Sequence, residues 1–562
     1  MGTRLDSTAV IESEHGGVTD RMSTGTDLAP AVAATHVAAT AVATIAWLSA
    51  SETTIVVPVY QRQYRWDIGG CEQLLGDIRA VADAGSDQTH FIGSILSTAS
   101  VSVDDDAHLV LIDGQQRITT LMLLVAALHH TLREDEPALA AELERVLVRA
   151  DDPTRTKLRP HRAWADVFES VVLDRRAPGD EMRESRFDDN YAFFRSQIRP
   201  DEAAHIWRGL KRLEHVAITL GPEANAQQTF ESLNSTGEPL RDHELIHNYV
   251  LMGLSHAEQS EIEDEYWVPI ERNTGEQIGD FWRHYLVMRT GREVTIAGER
   301  GVYDTFRAEF PHLDIAALRE HAAQWRAFAE IYGVLLEPQA APDAAVRRHL
   351  AYLNTFGRGM YPLTMRLLDE YGRRQLPPEE LLASLEHVQS LLLRRTVVGQ
   401  STDRLVARLC RAATVSRDAL VHAIARITPS DERTRVGLKY SALPHPLYVL
   451  GRLSGDLDVA GYDLEHVVPA APSDDWMPDG SRRWAELSDD EQNSFRALAP
   501  TLGNLALIEQ VLFDRAFDRS FPDKRGVYAG SAVPLTRALA DAEAWSTGAI
   551  AARTQELTDL FL

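Results

Sequence analysis

The chain has 562 residues, of which 44% are hydrophobic and 25% charged, with a formal net charge of −26 and two cysteines. That length exceeds a single hydrophobic core and calls for two or three domains. Cys71 and Cys410, with no Cys-x-x-Cys pair, exclude a disulfide framework and a thiolate zinc centre and suit a reducing cytoplasm. The negative charge excludes a uniformly polyanion-binding surface, so contact with nucleic acid must rest on local cations.

Residues 1–28 are rich in Ser, Thr, Gly and Asp and read as a mobile tail that extends to about residue 44. Residues 28–50 form the longest weakly polar run. Pro30, His36 and the many alanines and threonines suit a surface helix there, not a signal or a membrane span. Val57-Pro58-Val59-Tyr60-Gln61-Arg62-Gln63-Tyr64-Arg65-Trp66 is an extended run mixing amides, arginines and aromatics. Phe91-Ile92-Gly93-Ser94-Ile95-Leu96 follows, and then the most informative stretch, Leu111-Ile112-Asp113-Gly114-Gln115-Gln116-Arg117-Ile118-Thr119-Thr120-Leu121. Apolar residues end at the Asp113-Gly114 turn signal and a helical apolar run begins, so backbone N–H groups at a helix N-terminus are offered to an anion. Gln115, Gln116 and Arg117 add side-chain donors, and a guanidinium fork suits phosphate oxygens. The same pattern also describes an ordinary strand–helix turn with a surface arginine.

Apolar spacing predicts helices over residues 121–132 and 138–150, separated by Pro137. Residues 151–186 are charged and irregular, with Pro153, Pro160 and Pro178 as breakers. A strand is expected at 215–220, ahead of Phe230-Glu231-Ser232-Leu233-Asn234-Ser235-Thr236-Gly237-Glu238-Pro239-Leu240 and a helix from Asp242. No GxxxxGK[ST] sequence occurs, so nucleotide hydrolysis would need a different pocket.

In combination and order, these four segments resemble the N-terminal domain of the GmrSD-type, modification-dependent restriction proteins over roughly residues 55–251. The resemblance implies a fold related to the ParB nucleotide-binding domain. It also implies a pocket for a nucleoside triphosphate (GTP or ATP) or DNA phosphate formed by Gln61, Arg62, Asp113, Gly114, Gln115, Gln116 and Arg117 and closed by Asn234 and Thr236. Asp113, Gln115 and Arg117 would organise hydrolysis, while Tyr60, Tyr64 and Arg65 would shape a DNA-facing wall. Some members sense glucosylated hydroxymethylcytosine and others phosphorothioate backbones; Val57-Pro58-Val59-Tyr60 offers an apolar edge suited to the latter.

Residues 255–393 read as nearly all helical. Trp267, Phe281, Trp282, Tyr285, Trp325, Phe328 and Tyr332 recur at spacings of buried faces, with base stacking the other reading. Between residues 391 and 440, ten arginines and lysines stand against four carboxylates. Arg404, Arg408 and Arg411 are spaced to share a helix face, and Lys439 extends the basic character. That stripe is either DNA-facing or a solvated surface.

The C-terminal signal is Tyr462-Asp463-Leu464-Glu465-His466-Val467-Val468-Pro469, a short alternating strand ending in proline. Leu502-Gly503-Asn504-Leu505-Ala506-Leu507-Ile508 supplies a second strand with Asn504 available to pin a loop, and Phe521-Pro522-Asp523-Lys524-Arg525-Gly526-Val527-Tyr528 opens a helix. A carboxylate beside a neutral imidazole at a strand end suits a ββα-metal (HNH-like) nuclease, where one binds a hard cation and the other deprotonates water. Glu-His-x-x-Pro, Gly-Asn-Leu-x-Leu and Phe-x-x-Lys-x-x-x-Tyr resemble the C-terminal half of the same family. That implies catalytic His466, Glu465 and Asn504, magnesium or manganese on Glu465, and Lys524 among the DNA contacts. Phe513 stands where the family carries an asparagine, so Asp514 or Asp518 would have to complete the metal site, or the site is inactive.

The sequence thus predicts an α+β, predominantly helical protein. Its parts are a tail (1–44), a ParB-like domain with a small sheet (45–254), a helical connection (255–400) and an HNH-like domain (401–562). The implied function is a cytoplasmic, DNA-modification-dependent restriction factor of phage defence: a nucleotide-hydrolysing sensor coupled to a metal-dependent nickase or endonuclease. Its partners would be modified double-stranded DNA, nucleotide and further copies of itself, with no membrane. The alternatives are a nucleotide-dependent DNA- or partner-binding protein with a degenerate nuclease domain, and a nucleotide-regulated toxin acting on RNA.

Overall fold

The computed structural model describes residues 37–50, 54–85, 87–101, 107–160, 164–175, 185–221, 229, 240–294, 301–311 and 313–562. Its N-terminal part is a six-stranded mixed sheet with helices packed on it. In chain order the elements are β1 (Val37–Ala43), α1 (Thr44–Ala50), β2 (Thr54–Val56), α2 (Ile68–Asp83), β3 (His90–Val101), β4 (Ala107–Asp113), α3 (Gln115–Leu132), α4 (Pro137–Leu147), β5 (Leu158–Arg159), α5 (Ala165–Val172), α6 (Arg186–Gln197), α7 (Ala203–Leu210), β6 (Leu213–Leu220) and α8 (Asp242–Leu251). The strands lie in the order β1-β6-β3-β4-β2-β5. β3 pairs antiparallel with β4 and parallel with β6, so the middle of the sheet brings the two informative strands side by side.

β1 corrects the sequence reading. Residues expected in a tail and a surface helix pair in full register with β6, from Val37 opposite Leu220 to Ala43 opposite Glu214. Three of its seven residues (Val37, Thr40 and Val42) are β-branched, and a waiting sheet edge overrides the helical preference of the alanines.

Gly114 makes the turn from β4 into α3 with a left-handed φ of 95°, which a side chain would strain. α3 is then buried on almost every side, from Ile118 through Leu128, so it is the central helix of this core rather than an amphipathic surface one. α2 starts where the Asp67 carboxylate accepts the Gly70 N–H at 2.9 Å.

A larger helical core follows, in which Trp267, Trp282, Trp325, Tyr285, Tyr303, Tyr332 and Tyr361 are fully buried. The aromatics that sequence spacing left open are core, not stacking platforms. Val59 and Tyr60 pack into this core from the N-terminal side, and it runs on through Leu420 and Ile424, beyond residue 400. Arg404 has a left-handed φ of 54° and precedes the Val406–Val415 helix, so it does not share a helical face with Arg408 and Arg411.

In the C-terminal part, β7 (Tyr462–His466) and β8 (Leu505–Glu509) form an antiparallel pair with Glu465 opposite Ala506 and His466 opposite Leu505. The Phe521–Tyr528 and Thr547–Phe561 helices pack against it. Cys71 and Cys410 are buried free thiols, and among the described residues no helix is long and apolar enough to cross a membrane.

Two N-terminal helices approach closely at Gly209 of α7, where an added Cβ would lie 2.2 Å from the Ile78 carbonyl oxygen of α2. Gly209→Ala should therefore cost about 1–3 kcal/mol through overpacking. Thermal unfolding of the variant followed by circular dichroism should show a midpoint lowered by several degrees; an unchanged midpoint would mean that the two helices do not meet so closely.

Candidate functional sites

The larger candidate site is a cleft of about 720 Å³ between the N-terminal domain and the helical region. Segment 57–65 forms one wall, and its shape is imposed by side-chain amides rather than by secondary structure. Gln61 Nε2 donates to the Ile112 carbonyl at 2.6 Å, and Gln115 Nε2 donates to the Arg62 carbonyl at 2.8 Å. Gln116 Oε1 accepts the Arg65 N–H at 2.8 Å while its Nε2 donates to the Gln63 carbonyl at 3.2 Å. The first turn of α3 thus staples an otherwise irregular strand in place. It leaves Arg62 and Arg65 lining the cleft, joined by Arg186, whose guanidinium donates to the Arg65 carbonyl. α3 has no side-chain N-cap, so its first N–H groups add to this positive end.

The opposite wall is acidic and aromatic and was not foreseen from sequence. α8 contributes His243, Glu244, His247 and Asn248, and the following helical segment contributes Glu263, Trp267 and Glu271. Glu244 lies 3.1 Å from Arg65 across the cleft. Burial pushes the His243 imidazole down to about 4, so it is neutral at pH 7. The spacing of His243 and His247, four apart on an expected helix, was the one available signal for this wall.

Arg117 is elsewhere. Its Nη1 donates to the Ile92 carbonyl at 2.7 Å, its Nη2 is 3.5 Å from Asp113, and it lines a separate pocket of about 320 Å³ with Trp66, His90 and Phe91. Gly93 beneath it has a left-handed φ of 99°, which disfavours any side chain, and an added Cβ would also displace the guanidinium. The expected single cradle of Asp113, Gln115, Gln116 and Arg117 is therefore split. Gln115 and Gln116 line the large cleft, whereas the Arg117 guanidinium turns to the Ile92 carbonyl and the separate pocket. Gln61, Gln115 and Gln116 shape the cleft through backbone contacts. Asn234 and Thr236 lie outside the described residues. Tyr60 is buried, and the Tyr64 hydroxyl is held by Thr120 at 2.7 Å and Asn190 at 2.8 Å with its ring stacked on Phe187. Of the three residues expected to face DNA here, only Arg65 is exposed.

The second candidate site is the end of β7. Strand alternation puts Glu465 and His466 on opposite faces. Glu465 turns inward, where Lys524 Nζ meets its Oε1 at 2.6 Å and the Tyr528 hydroxyl donates to the same oxygen at 2.8 Å. Lys524 also donates to the His466 carbonyl at 2.8 Å. Lys524 is 1% exposed and Glu465 2%, which removes Lys524 from the expected DNA contacts and makes the pair an internal ion pair. Asn504 is also fully buried. Its Oδ1 accepts from Val468 N at 2.9 Å and Trp545 Nε1 at 3.1 Å, and its Nδ2 donates to the Val468 and Ala499 carbonyls at 3.0 and 2.9 Å. It is a positioning residue that fixes the turn after His466, out of reach of a substrate. The His466 ring is half-buried and makes no hydrogen bond among the described residues. Burial, with a smaller effect of Lys524, lowers its pKa against the opposing pull of Glu465 and keeps the imidazole neutral.

The expected metal seat does not fit this arrangement. Glu465 is engaged by an ammonium and a phenol, Asp514 and Asp518 are exposed, and among the described residues no three His, Cys, Asp or Glu groups are placed to share an ion. Lys439 is exposed on the Asp431–Tyr440 helix, but much of the basic stripe is internally paired: Arg394 with Asp431, Arg417 with Glu370 at 2.8 Å and Arg435 with Asp559 at 2.6 Å.

With both sites described, comparison with known families defines the class as a DNA restriction endonuclease. The GmrSD restriction endonuclease N-terminal domain matches residues 45–251, and the GmrSD restriction endonucleases C-terminal domain matches residues 424–560. The chain belongs to this family and carries both of its domains in one polypeptide. No curated protein matches it.

The buried Glu465–Lys524 pair can be tested by stability. Removing one charge strands the other in a dry site, so Lys524→Met or Glu465→Gln alone should cost about 3–5 kcal/mol, whereas the double variant should recover most of that loss. Denaturant melts of the four proteins check this. Additive losses would mean that the two groups are not coupled.

Proposed function

We propose that the chain is a modification-dependent restriction enzyme in which the N-terminal cleft binds a nucleoside triphosphate and His466 cuts DNA. The observation that carries the nucleotide reading is the convergence of Arg62, Arg65 and Arg186 beside an uncapped helix N-terminus in a cleft large enough for GTP or ATP. Guanidinium groups bind phosphate oxygens in forks, and Arg65 exchanges Glu244 for phosphate when the ligand enters. Val57 and Val59, both buried, line the inner wall of the same cleft and make it apolar there. That apolar wall supports a sulfur-substituted DNA backbone as the modification sensed, over a bulky glucosyl group.

At the other end, the neutral His466 ring accepts a proton from the water whose oxygen bonds to the phosphodiester phosphorus, while the bond from that phosphorus to one sugar oxygen breaks and releases the cut strand end. Asn504 holds the turn that presents the ring, and Lys524, gripping both Glu465 and the His466 carbonyl, fixes the strand end from beneath. Lys439, which is exposed, would supply a cation to the DNA backbone.

A plasmid-cleavage assay in magnesium or manganese buffer, on phosphorothioate, glucosylated and unmodified DNA with GTP or ATP, tests the nuclease reading. Wild type should cut and His466→Ala should not, with identical unfolding midpoints; equal inertness of the two proteins on every substrate would reject cleavage. For the cleft, Arg62→Ala should weaken triphosphate binding about tenfold or more, the loss of one charge-assisted contact. Titration with a fluorescent nucleotide reads this, and undiminished affinity would place the phosphates elsewhere.

A further inference from the structure

We infer that His247, oriented by Glu263, is the general base of triphosphate hydrolysis in the N-terminal cleft. The inference rests on the nucleotide reading of that cleft and adds a catalytic residue on the wall opposite the arginines.

The geometry is that of a held base. His247 Nε2 and Glu263 Oε2 are 2.6 Å apart, and both residues line the cleft while being nine-tenths buried. A carboxylate has no hydrogen to give, so it accepts Nε2–H and leaves Nδ1 as the nitrogen with the lone pair. The ring is fixed in plane as well as in tautomer. It stacks on Trp267 with centroids 4.1 Å apart and planes 8° from parallel, and Trp267 is itself backed by Trp282 at 5.7 Å and anchored through Nε1 to Glu271 at 3.0 Å. Glu263 opens a π-helical turn, Glu263–Trp267, inserted between α-helical segments. Such turns are uncommon, rotate side chains off the regular helical face and recur at functional sites. Beside the dyad Asn248 lines the cleft, and its buried Oδ1 has no hydrogen-bond partner among the described residues, an acceptor left for a ligand N–H or a water.

A histidine needed only for packing requires neither a carboxylate partner nor a cleft with three arginines on its far wall. With the phosphates on Arg62, Arg65 and Arg186, a water between them and Nδ1 is positioned to react. Its oxygen bonds to the terminal phosphorus, the bond from that phosphorus to the bridging oxygen breaks, the proton passes to Nδ1, and the nucleoside diphosphate leaves. Glu263, Trp267 and Glu271 lie beyond residue 251, where the match to the N-terminal domain ends. The helical region therefore completes this centre and links nucleotide turnover to the part of the chain that leads to the nuclease.

The test measures phosphate release from the magnesium salts of GTP and ATP by the full-length protein, alongside titration with a fluorescent nucleotide. His247→Gln keeps an N–H for Glu263 but has no basic nitrogen. It should bind nucleotide within about twofold of wild type while turnover falls at least a hundredfold. His247→Ala should fall equally and regain turnover with added imidazole, which a packing role would not permit. Glu263→Gln should lower kcat and leave KM unchanged. Wild-type turnover in His247→Gln at full nucleotide affinity overturns the inference alone, as does a wild type that binds nucleotide without hydrolysing it. A wild type that binds no nucleotide overturns the reading beneath it as well.

Discussion

The N-terminal cleft exists because three glutamine side chains do the work of a missing β-ladder. Among the described residues segment 57–65 has no strand partner over most of its length, and side chains take over part of its backbone hydrogen bonding. Gln115 and Gln116, in the first turn of α3, satisfy the Arg62 and Gln63 carbonyls and the Arg65 N–H, and Gln61 ties the segment to the Ile112 carbonyl of β4. Everything else about the site follows from that staple. It aims Arg62 and Arg65 into the cleft, carries Val59 and Tyr60 across into the helical core, and thereby fixes the distance between the arginine wall and α8. A sequence of amides that reads as a ligand cradle acts as the scaffold of one.

The C-terminal site is organised by the same logic with charges in place of amides. Lys524 and Tyr528, one turn apart on a helix, converge on a single oxygen of Glu465, and Lys524 reaches past it to the carbonyl of His466. A buried ion pair is a weak source of net stability but a strong source of geometric definition when its remaining hydrogen bonds are made. Here it defines where β7 ends and therefore where the imidazole stands. Asn504, the residue just before β8, completes the definition through four hydrogen bonds to the turn and its surroundings.

What the sequence made legible was period and order. The strand–turn–helix at Asp113-Gly114, the strand at β6, the two C-terminal strands and the helix opening at Phe521 all follow from alternation, turn residues and apolar spacing. The aromatic core between residues 267 and 332 was equally readable. What period cannot give is azimuth and partner. Arg117 stands two residues from Gln115, and nothing in the linear motif says that one faces a large cleft and the other a separate pocket. Glu465 and His466 are adjacent in the chain and opposite in space, because one strand residue flips the face. The strand at Val37–Ala43 was hidden by composition, since its alanines acquire β-structure only from the partner β6. Glu263 was invisible for another reason: a π-turn carries no residue signature, and its carboxylate meets His247 only after two helices have packed.

The most direct measurement is hydrogen–deuterium exchange of the full-length protein with and without GTP, read by peptide. If the cleft is the nucleotide site, peptides covering residues 57–66, 113–118 and 242–271 should gain protection together, while those around residues 88–94 should not. Protection confined to residues 88–94 and the Arg117 pocket, or no protection anywhere, would contradict the account.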